Sequence, residues 1–582
     1  MVGWFTRRLN PKLVAWGWLL ALPAMAQTVS VPLSHWIYHW LERWETAGLI
    51  EQVYDHSRPY SRTETAGYLV QLWQTFRKHP EKFSRIDRDY LNYALAEFQE
   101  ELPDSIQQAI RRTSVYRARR VKQHLGGLLP DRIYGNQRNF VDFHYQDFDL
   151  YADPLFQLSR REFVDARGQV TEETRRSNGF MFRGRLGPYV AFSFMLTDNN
   201  VKRIPKIPKV QVLEESGFPF IQRRDNGSAD FDENIATLNV AYKYLWLVFG
   251  REFNEWGAGH SGQMILSSNA PVYDQIKLVL RYWRFKFTHI TAFTEYIDPA
   301  SRTLLFASPA INTFWAGNRL ELYLGRGVQF GVSESVVYGN RSLELGYLNP
   351  LGFFASLEHF YGDRDNTALS LDLAWRVRPG IKVYGEWFID DLTVSKLGTK
   401  WFGNKFGYQA GAFLVDPLGL PGVDLLVEYT RIKPYVYSHS VADFNKYKHY
   451  DTILGHFLGP NSDGWLARVR WYPNRRLRLQ LEGQTYRHGS NPPDRNVGGD
   501  PDLPFRFGED NPNATFLDGI RVDRDALGLE VRYEWIRRWY WSAELQQVRI
   551  GSAGWDTVFR LQTSLNFGFR QEPFRVFEPA TR

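Results

Sequence analysis

The chain of 582 residues carries a formal net charge of +7, and 16% of its residues are aromatic although 23% are charged and the mean hydropathy is −0.41. Its charges of both signs are interspersed, which excludes the one-sided basic footprint of a nucleic-acid binder. No run of about 18 apolar residues follows the N-terminus, which excludes a transmembrane helix in the mature chain, and the absence of cysteine excludes disulfides, thiolate metal sites and a lipid-anchored N-terminal cysteine.

Residues 1–26 read as a secretory signal: Arg7, Arg8 and Lys12 precede the apolar stretch Leu13 to Ala24, and Ala24-Met25-Ala26 is a small-x-small cleavage site. Its removal takes three positive charges from the formal +7, leaving +4. Residues 27–130 then read as a helical domain. Ser34 is placed to cap a helix in which Trp36, Ile37, Trp40, Leu41 and Trp44 recur at helical spacing, with Gly48 as its stop. Ser61 and Glu64 form a capping box for a second helix through Tyr68, Leu69, Leu72 and Trp73. A third is expected from about Asp87 through Tyr90, Leu91, Leu95 and Phe98, and a fourth from about Ser105 to Val121. The segment Val31 to Trp73 resembles one imperfect S-layer-homology repeat, which would imply contact with peptidoglycan or another cell-wall polymer. The same tryptophans also suit a bundle core or packing on a neighbouring domain.

Beyond residue 135 the hydrophobic period changes from 3.6 to 2. Leu527, Leu529, Val531, Tyr533 and Trp535 share one face, opposite Glu530, Arg532 and Glu534. Trp465, Ala467, Val469 and Trp471 alternate with Arg468 and Arg470, and Leu477, Leu479 and Leu481 with Arg478, Gln480 and Glu482. Only Pro473 to Arg476 separates these last two strands, so they predict a tight antiparallel hairpin. Such strands need lipid on one face and water on the other, which predicts an all-β transmembrane outer-membrane β-barrel over 131–570, with about 16–18 antiparallel strands. The helical domain is expected on its periplasmic side, and 571–582 form a tail. The polar stretches Asn199 to Asp232, Ser438 to Ser462 and Gly489 to Asp518 are expected as extracellular loops, and the alternation from Thr557 to Phe569 as the final strand.

Several ordered stretches resemble the Wzi-type capsule assembly family of outer-membrane proteins. They are Gly250-Arg251-Glu252-Phe253 with Trp256 to Gly262, Glu334 to Gly339, Tyr347-Leu348-Asn349-Pro350, Gly362 to Asn366, Tyr384 to Asp391, Glu428 to Arg431 with Tyr435 to His439, and Leu454 to Asp463. The resemblance implies a lectin-like barrel that binds capsular or exopolysaccharide and helps it stay attached. The alternative is a diffusion porin, with the helical domain at its periplasmic mouth.

Sugar recognition uses flat rings and fixed polar groups. The residues of these stretches that could supply them are Arg251, Glu252, Trp256, His260, Glu334, Asp363, Asp365, Asn366, Glu386, Asp390, Glu428, Arg431 and His456. Alternation points Glu386, Asp390 and Glu428 into the lumen, where they could equally join Arg251, Arg468, Arg470, Arg478 and Arg532 in an ion-pair ladder. Arg364 to Asn366 and Asn461 to Asp463 also suit turn chemistry. No metal or cofactor is implied, and no catalysis. Adjacent Asp390 and Asp391 point to opposite faces and cannot flank one bond, and no nucleophile elbow, H-E-x-x-H or P-loop occurs.

Overall fold

The computed structural model describes residues 28–113, 138–204, 222–223, 228–297, 311–439 and 443–566. The expected signal segment, positions 114–121 of the fourth helix, and Phe567 and Phe569 of the last strand lie outside the described residues.

Eighteen strands among the described residues close into an antiparallel barrel. They are β1 (Phe148–Val164), β2 (Val170–Leu186), β3 (Val190–Ile204), β4 (Ser228–Tyr242), β5 (Leu245–Glu252), β6 (Tyr273–Tyr282), β7 (Phe285–Tyr296), β8 (Ile311–Gly325) and β9 (Val328–Gly339). The circuit continues with β10 (Asn366–Arg378), β11 (Ile381–Asp391), β12 (Lys405–Val415), β13 (Val423–Ile432), β14 (Ser462–Asn474), β15 (Leu477–Ser490), β16 (Ile520–Ile536), β17 (Trp539–Ile550) and β18 (Asp556–Leu565). β18 closes on β1, pairing Leu565 with Phe156 and Thr557 with Val164. Below Phe156 the same edge of β1 is taken by Val141–Tyr145, so the barrel leaves little of that edge unpaired.

The period-2 pattern maps onto the wall as expected. Trp465, Val469, Trp471, Leu481, Leu527, Leu529 and Trp535 are exposed outward, while Arg468, Arg470, Gln480 and Glu482 are buried inward. An outward apolar belt with an inward polar face is the burial pattern a membrane barrel requires. Among the described residues no helix is long and apolar enough to cross a membrane. The β14–β15 turn is as tight as predicted, with Asn474 opposite Leu477.

Turns at one barrel end are short, such as 283–284, 326–327 and 475–476, while longer loops gather at the other. Two loop expectations are corrected. Residues 199–204 and 228–232 continue β3 and β4, with Lys202 opposite Ser228. Of the segment 438–462, residues 443–462 fold back against the barrel, where Tyr447 is buried against Trp315 of β8.

The helical domain plugs the short-turn end. It comprises α1 (Ile37–Thr46), α2 (Arg62–Lys78), α3 (Arg85–Glu97) and α4 (Asp104–Thr113). Ser34 does not cap α1: the N-cap residue is Trp36, and the His35 ring accepts the Ile37 N–H at 3.2 Å. Ser61 does cap α2 by accepting from the Glu64 N–H, but the Glu64 carboxylate accepts from Tyr68 and faces Lys286 of β7. The reciprocal capping box stands at α3, between Ser84 and Asp87. Trp40 and Trp44 are buried in the bundle, where Trp40 stacks on Tyr90 at 3.7 Å and meets Tyr472 of β14 edge-on. One aromatic core therefore joins domain to barrel, and each large ring that it buries contributes about 1.5–3 kcal/mol.

Polar contacts repeat that joint around the rim. Thr46 accepts from the Gly380 N–H, Arg376 donates to Glu45 and Ile50 carbonyls, and Tyr90 donates to the Arg475 carbonyl. Glu97 is clamped by Arg537 and Arg538 in the β16–β17 turn. Burial alone would raise this carboxyl, but Arg538 and Arg537 hold it well below the usual carboxylate range.

Candidate functional site

The loop 253–272 leaves β5 at the long-loop end and crosses the lumen. Its Glu255–Trp256 pairs with Ser57–Arg58 of the helical domain, and the Gly257 N–H donates to the His56 carbonyl at 2.9 Å. Plug and loop thus meet inside the barrel. Two glycines make the passage possible. Gly257 has φ +135°, and a Cβ there would lie 2.4 Å from Glu386 Oε2; a Cβ on Gly259 would lie 2.0 Å from Gln409 Oε1.

Glu428 of β13 anchors the loop's middle. Its carboxylate accepts from the His260 N–H at 2.7 Å, the Ser261 N–H at 2.8 Å, the Tyr384 hydroxyl at 2.6 Å and Gln409 at 3.1 Å, and from the Ser261 hydroxyl. His260 continues to Glu42 of α1, with Nε2 to Oε1 3.1 Å, which ties the loop to the plug. Farther along, Met264, Ile265 and Leu266 are buried with Trp256, Trp315, Phe388, Tyr437 and Tyr447. The described parts of a second loop, 433–439 and 443–461, contribute those two tyrosines, which donate to the Met264 and Ile265 carbonyls at 2.7 and 2.6 Å. This part of the barrel holds an apolar core like that of a soluble protein.

Ser261, His456 and Glu428 lie together, which invites comparison with a hydrolytic triad. The geometry opposes it. His456 Nδ1 accepts the Leu458 N–H at 3.3 Å, so the ring proton sits on Nε2, which faces Ser261 Oγ at 3.0 Å. A base must offer that nitrogen as an acceptor to take the hydroxyl proton. Burial pushes the imidazole down to about 3, which keeps this neutral form.

Nearer the plug the lumen is paired charge. Asp372 accepts from Arg319 at 2.7 and 3.1 Å and lies 2.5 Å from His56 Nδ1. Lys382 meets Asp55 and Glu45, and Arg43 meets Asp424 and Asp416. On the opposite wall Glu530 joins Arg478 and Arg532, and toward the long-loop end Glu173 joins Arg161 and Arg203. Ion pairs do line the lumen, but with other acids than expected: Arg468 meets Glu482 and Arg478 and Arg532 meet Glu530, while Glu386, Asp390 and Glu428 accept from the neutral donors Ser370, Tyr437 and His260.

The structure separates the candidate residues into three places. Glu428, His260, His456, Trp256 and Glu386 meet in the lumen, where Glu386 accepts from Ser370 at 2.7 Å and Trp256 lies edge-on to Trp315 at 5.3 Å. Glu252 is paired with Lys277, and Asp390 accepts the Tyr437 N–H at 2.9 Å. Arg251 and Arg431 face outward, a correction to the inward direction expected for Arg251. Trp246 and Val248 take the inward positions of β5, so Arg251 pairs with outward Asp274 at 2.8 Å. Arg431 lies over the Phe516 ring at 3.9 Å. Of the remaining four, Asp363, Asp365 and Asn366 belong to the 340–366 region and Glu334 to the β9 wall beneath it. Asp365 accepts two bonds from Arg341, at 2.8 and 2.6 Å, Asn366 donates to the Asn445 carbonyl, Asp363 is exposed in a left-handed turn, and Glu334 faces outward.

Two further groups stand outside the residues expected from the sequence. Gln409, Thr430 and Glu42 complete the Glu428 network; Thr430 shares the Glu428 face two residues on, whereas Gln409 and Glu42 come from other elements and give no local signal. The other group is an aromatic cluster on the long-loop face, where Phe402 stacks on Phe505 at 3.5 Å and Trp401, Tyr435 and Phe507 surround them. Aromatic pairs inside Gly- and Pro-rich loops, such as Trp401-Phe402 and Phe505-Arg506-Phe507, were its available signal.

A search of curated protein sequences returned no match. Among solved structures, Wzi of Escherichia coli, described as an outer-membrane protein involved in group 1 capsule assembly and a carbohydrate-binding β-barrel, superposes with a TM-score of 0.52 at 13% identity. The match covers 94% of this chain and all of that one, so the two share the fold. OccK1 (OpdK) of Pseudomonas aeruginosa matches at a TM-score of 0.43 and 9% identity, over 73% of this chain and 99% of its own. The family model described as capsule assembly protein Wzi matches residues 132–552, which is most of the barrel. The chain belongs to the Wzi capsule assembly family of outer-membrane β-barrel proteins.

Proposed function

We propose that this protein holds capsular or exopolysaccharide at the cell surface as a non-catalytic receptor, on the long-loop face of its barrel. One observation carries the reading. The loop 253–272 and the described parts of 433–461 pack an apolar core across the lumen, which suits a receptor and opposes a water-filled passage through that region. The E. coli family member described as carbohydrate-binding supports the same ligand class. Barrels of this kind keep short turns on the periplasmic side, so the plug faces the periplasm and the long loops face out.

Most of the carboxylates singled out from sequence are already taken by internal donors, and their part is to hold the loops in place. Direct sugar contact falls to groups that reach the outer face: the exposed Phe507 ring, the half-buried Trp401 with Lys396 near it, and the exposed Asp363. A ring exposed on an ordered loop offers the flat apolar face that a sugar ring needs.

The test combines single-channel conductance of the refolded barrel with a pull-down of purified surface polysaccharide. A quiet barrel that retains polysaccharide supports the receptor. Steady open conductance with no retention overturns it and leaves the porin.

A further inference from the structure

The loop that joins β9 to β10 does not rise away from the barrel. It turns back down the outer wall as two short helices, α5 (Leu345–Leu348) and α6 (Phe354–Phe360). Tyr347 and Phe354 are buried with Phe314, Ala316, Val336 and Tyr338, all of which point outward from β8 and β9. Residues that elsewhere on the wall would face lipid are here covered by protein.

The row of outward side chains beneath this hairpin explains the cover. Along the paired strands it reads Leu247, Leu278, His289, Asn318, Glu334 and Leu369. Its three polar members are consecutive, and in hydrocarbon each would need a partner. The hairpin supplies partners for two of them, and His289 bonds Asn318 and Thr291 on the wall. Glu334 accepts the Phe354 N–H at 3.0 Å and Asn318 donates to the Gly352 carbonyl at 3.1 Å, while Asn318 also meets Glu334 and His289. At the top, Asp365 clasps Arg341 and Tyr347, which holds the two arms together.

The hairpin's far side is apolar. Leu345 is 76% exposed, Leu351 90%, Phe353 62% and Phe360 83%. The tip, 349–353, lies beside Glu334, five residues inside the end of β9 at Gly339. That is roughly 17 Å along a strand at about 3.3 Å per residue, or roughly 13 Å of depth at a tilt of about 40°, against an apolar band about 25 Å tall. Phe293 and Leu373 on the flanking strands continue the exposed apolar surface.

We propose that residues 343–361 form a re-entrant hairpin whose Leu345, Leu351, Phe353 and Phe360 lie among the acyl chains of the outer leaflet, pinned to the barrel wall by the His289–Asn318–Glu334 row. It acts as a lipid-embedded collar that fixes how the barrel sits under its external loops. The occupant of the apolar face is lipid, because that face continues the lipid-facing belt and reaches mid-strand depth.

The chain has no cysteine, so an introduced one is a unique reporter. Leu351→Cys and, at the rim, Asp363→Cys are each labelled with a nitroxide on the full-length protein in phosphatidylethanolamine–phosphatidylglycerol vesicles. Both side chains are exposed, so neither change disturbs packing. Power saturation should show the Leu351→Cys label relaxed by oxygen and shielded from a water-soluble nickel chelate, with the reverse at Asp363→Cys. Nickel access at both positions overturns the proposal. Dipolar broadening at Leu351→Cys that grows with protein-to-lipid ratio also overturns it, and assigns the face to a second copy of the chain.

Discussion

Replacing Glu428 with Ala would remove the acceptor shared by the His260 and Ser261 N–H groups, the Tyr384 and Ser261 hydroxyls, and Gln409. Gln409 keeps Thr430 and the Gly262 carbonyl as partners. The two backbone N–H groups and the Tyr384 hydroxyl are left without one. At about 1–3 kcal/mol for each stranded buried donor, the inward position of the loop loses roughly 3–9 kcal/mol before water enters. Even the lower figure raises the population of the released loop by about a hundredfold. The β-strands themselves lose no ladder bond, so the barrel should keep its heat-modifiable migration on a denaturing gel. Single-channel recording of the variant should show frequent openings above the wild-type level, and limited proteolysis should gain a cut within 253–272. A folded Glu428→Ala barrel as quiet and as protease-resistant as wild type would refute the argument that this carboxylate holds the plugging loop.

Gly257→Ala should weaken the same loop by strain, since the residue has φ +135° and its new methyl would meet Glu386; more frequent openings than wild type, with fewer than Glu428→Ala, would check it. Arg537→Ala with Arg538→Ala leaves Glu97 buried without its clamp, a loss of several kcal/mol, and protease should then release the helical domain from an intact barrel. Docking of that domain should also weaken in acid. His39 has its imidazole pushed down to about 4 by burial, opposed in part by its bond to Asp424. Its folded value lies below the unfolded 6.5, so its contribution is whole above pH 6.5 and fades as pH falls toward 4, by at most about 3 kcal/mol. Proteolysis rates of the helical domain measured across that range check the sign, and His39→Gln should flatten the profile. Phe507→Ala should reduce polysaccharide retention several-fold, near 1 kcal/mol for one stacking ring, with no change in thermal unfolding.

The wall was legible in the chain because strand geometry is local. Trp465 and Trp471 lie outward and Arg468 and Arg470 inward for the same reason that successive Cβ atoms alternate, and the β14–β15 hairpin followed from two such runs joined by a turn. Helix α2 and its Ser61 cap were likewise readable from spacing, whereas Ser34 was a sound cap residue that the packing of Trp36 and His35 displaced. Alternation also placed Glu386, Asp390 and Glu428 inside, without saying what each would meet. Their partners come from chain segments far apart in sequence, as His260 and Glu42 do for the Glu428 region, and no period in the sequence encodes such a meeting. The same holds for the outward row of His289, Asn318 and Glu334, which reads as a fault in the lipid-facing pattern until the 343–361 hairpin is seen to cover it. The sequence by itself determined which face of each strand meets lipid. Only the tertiary structure decided which loops turn inward to fill the barrel and which turns down its outer wall, because those choices depend on buried polar groups finding donors and acceptors across the closed sheet.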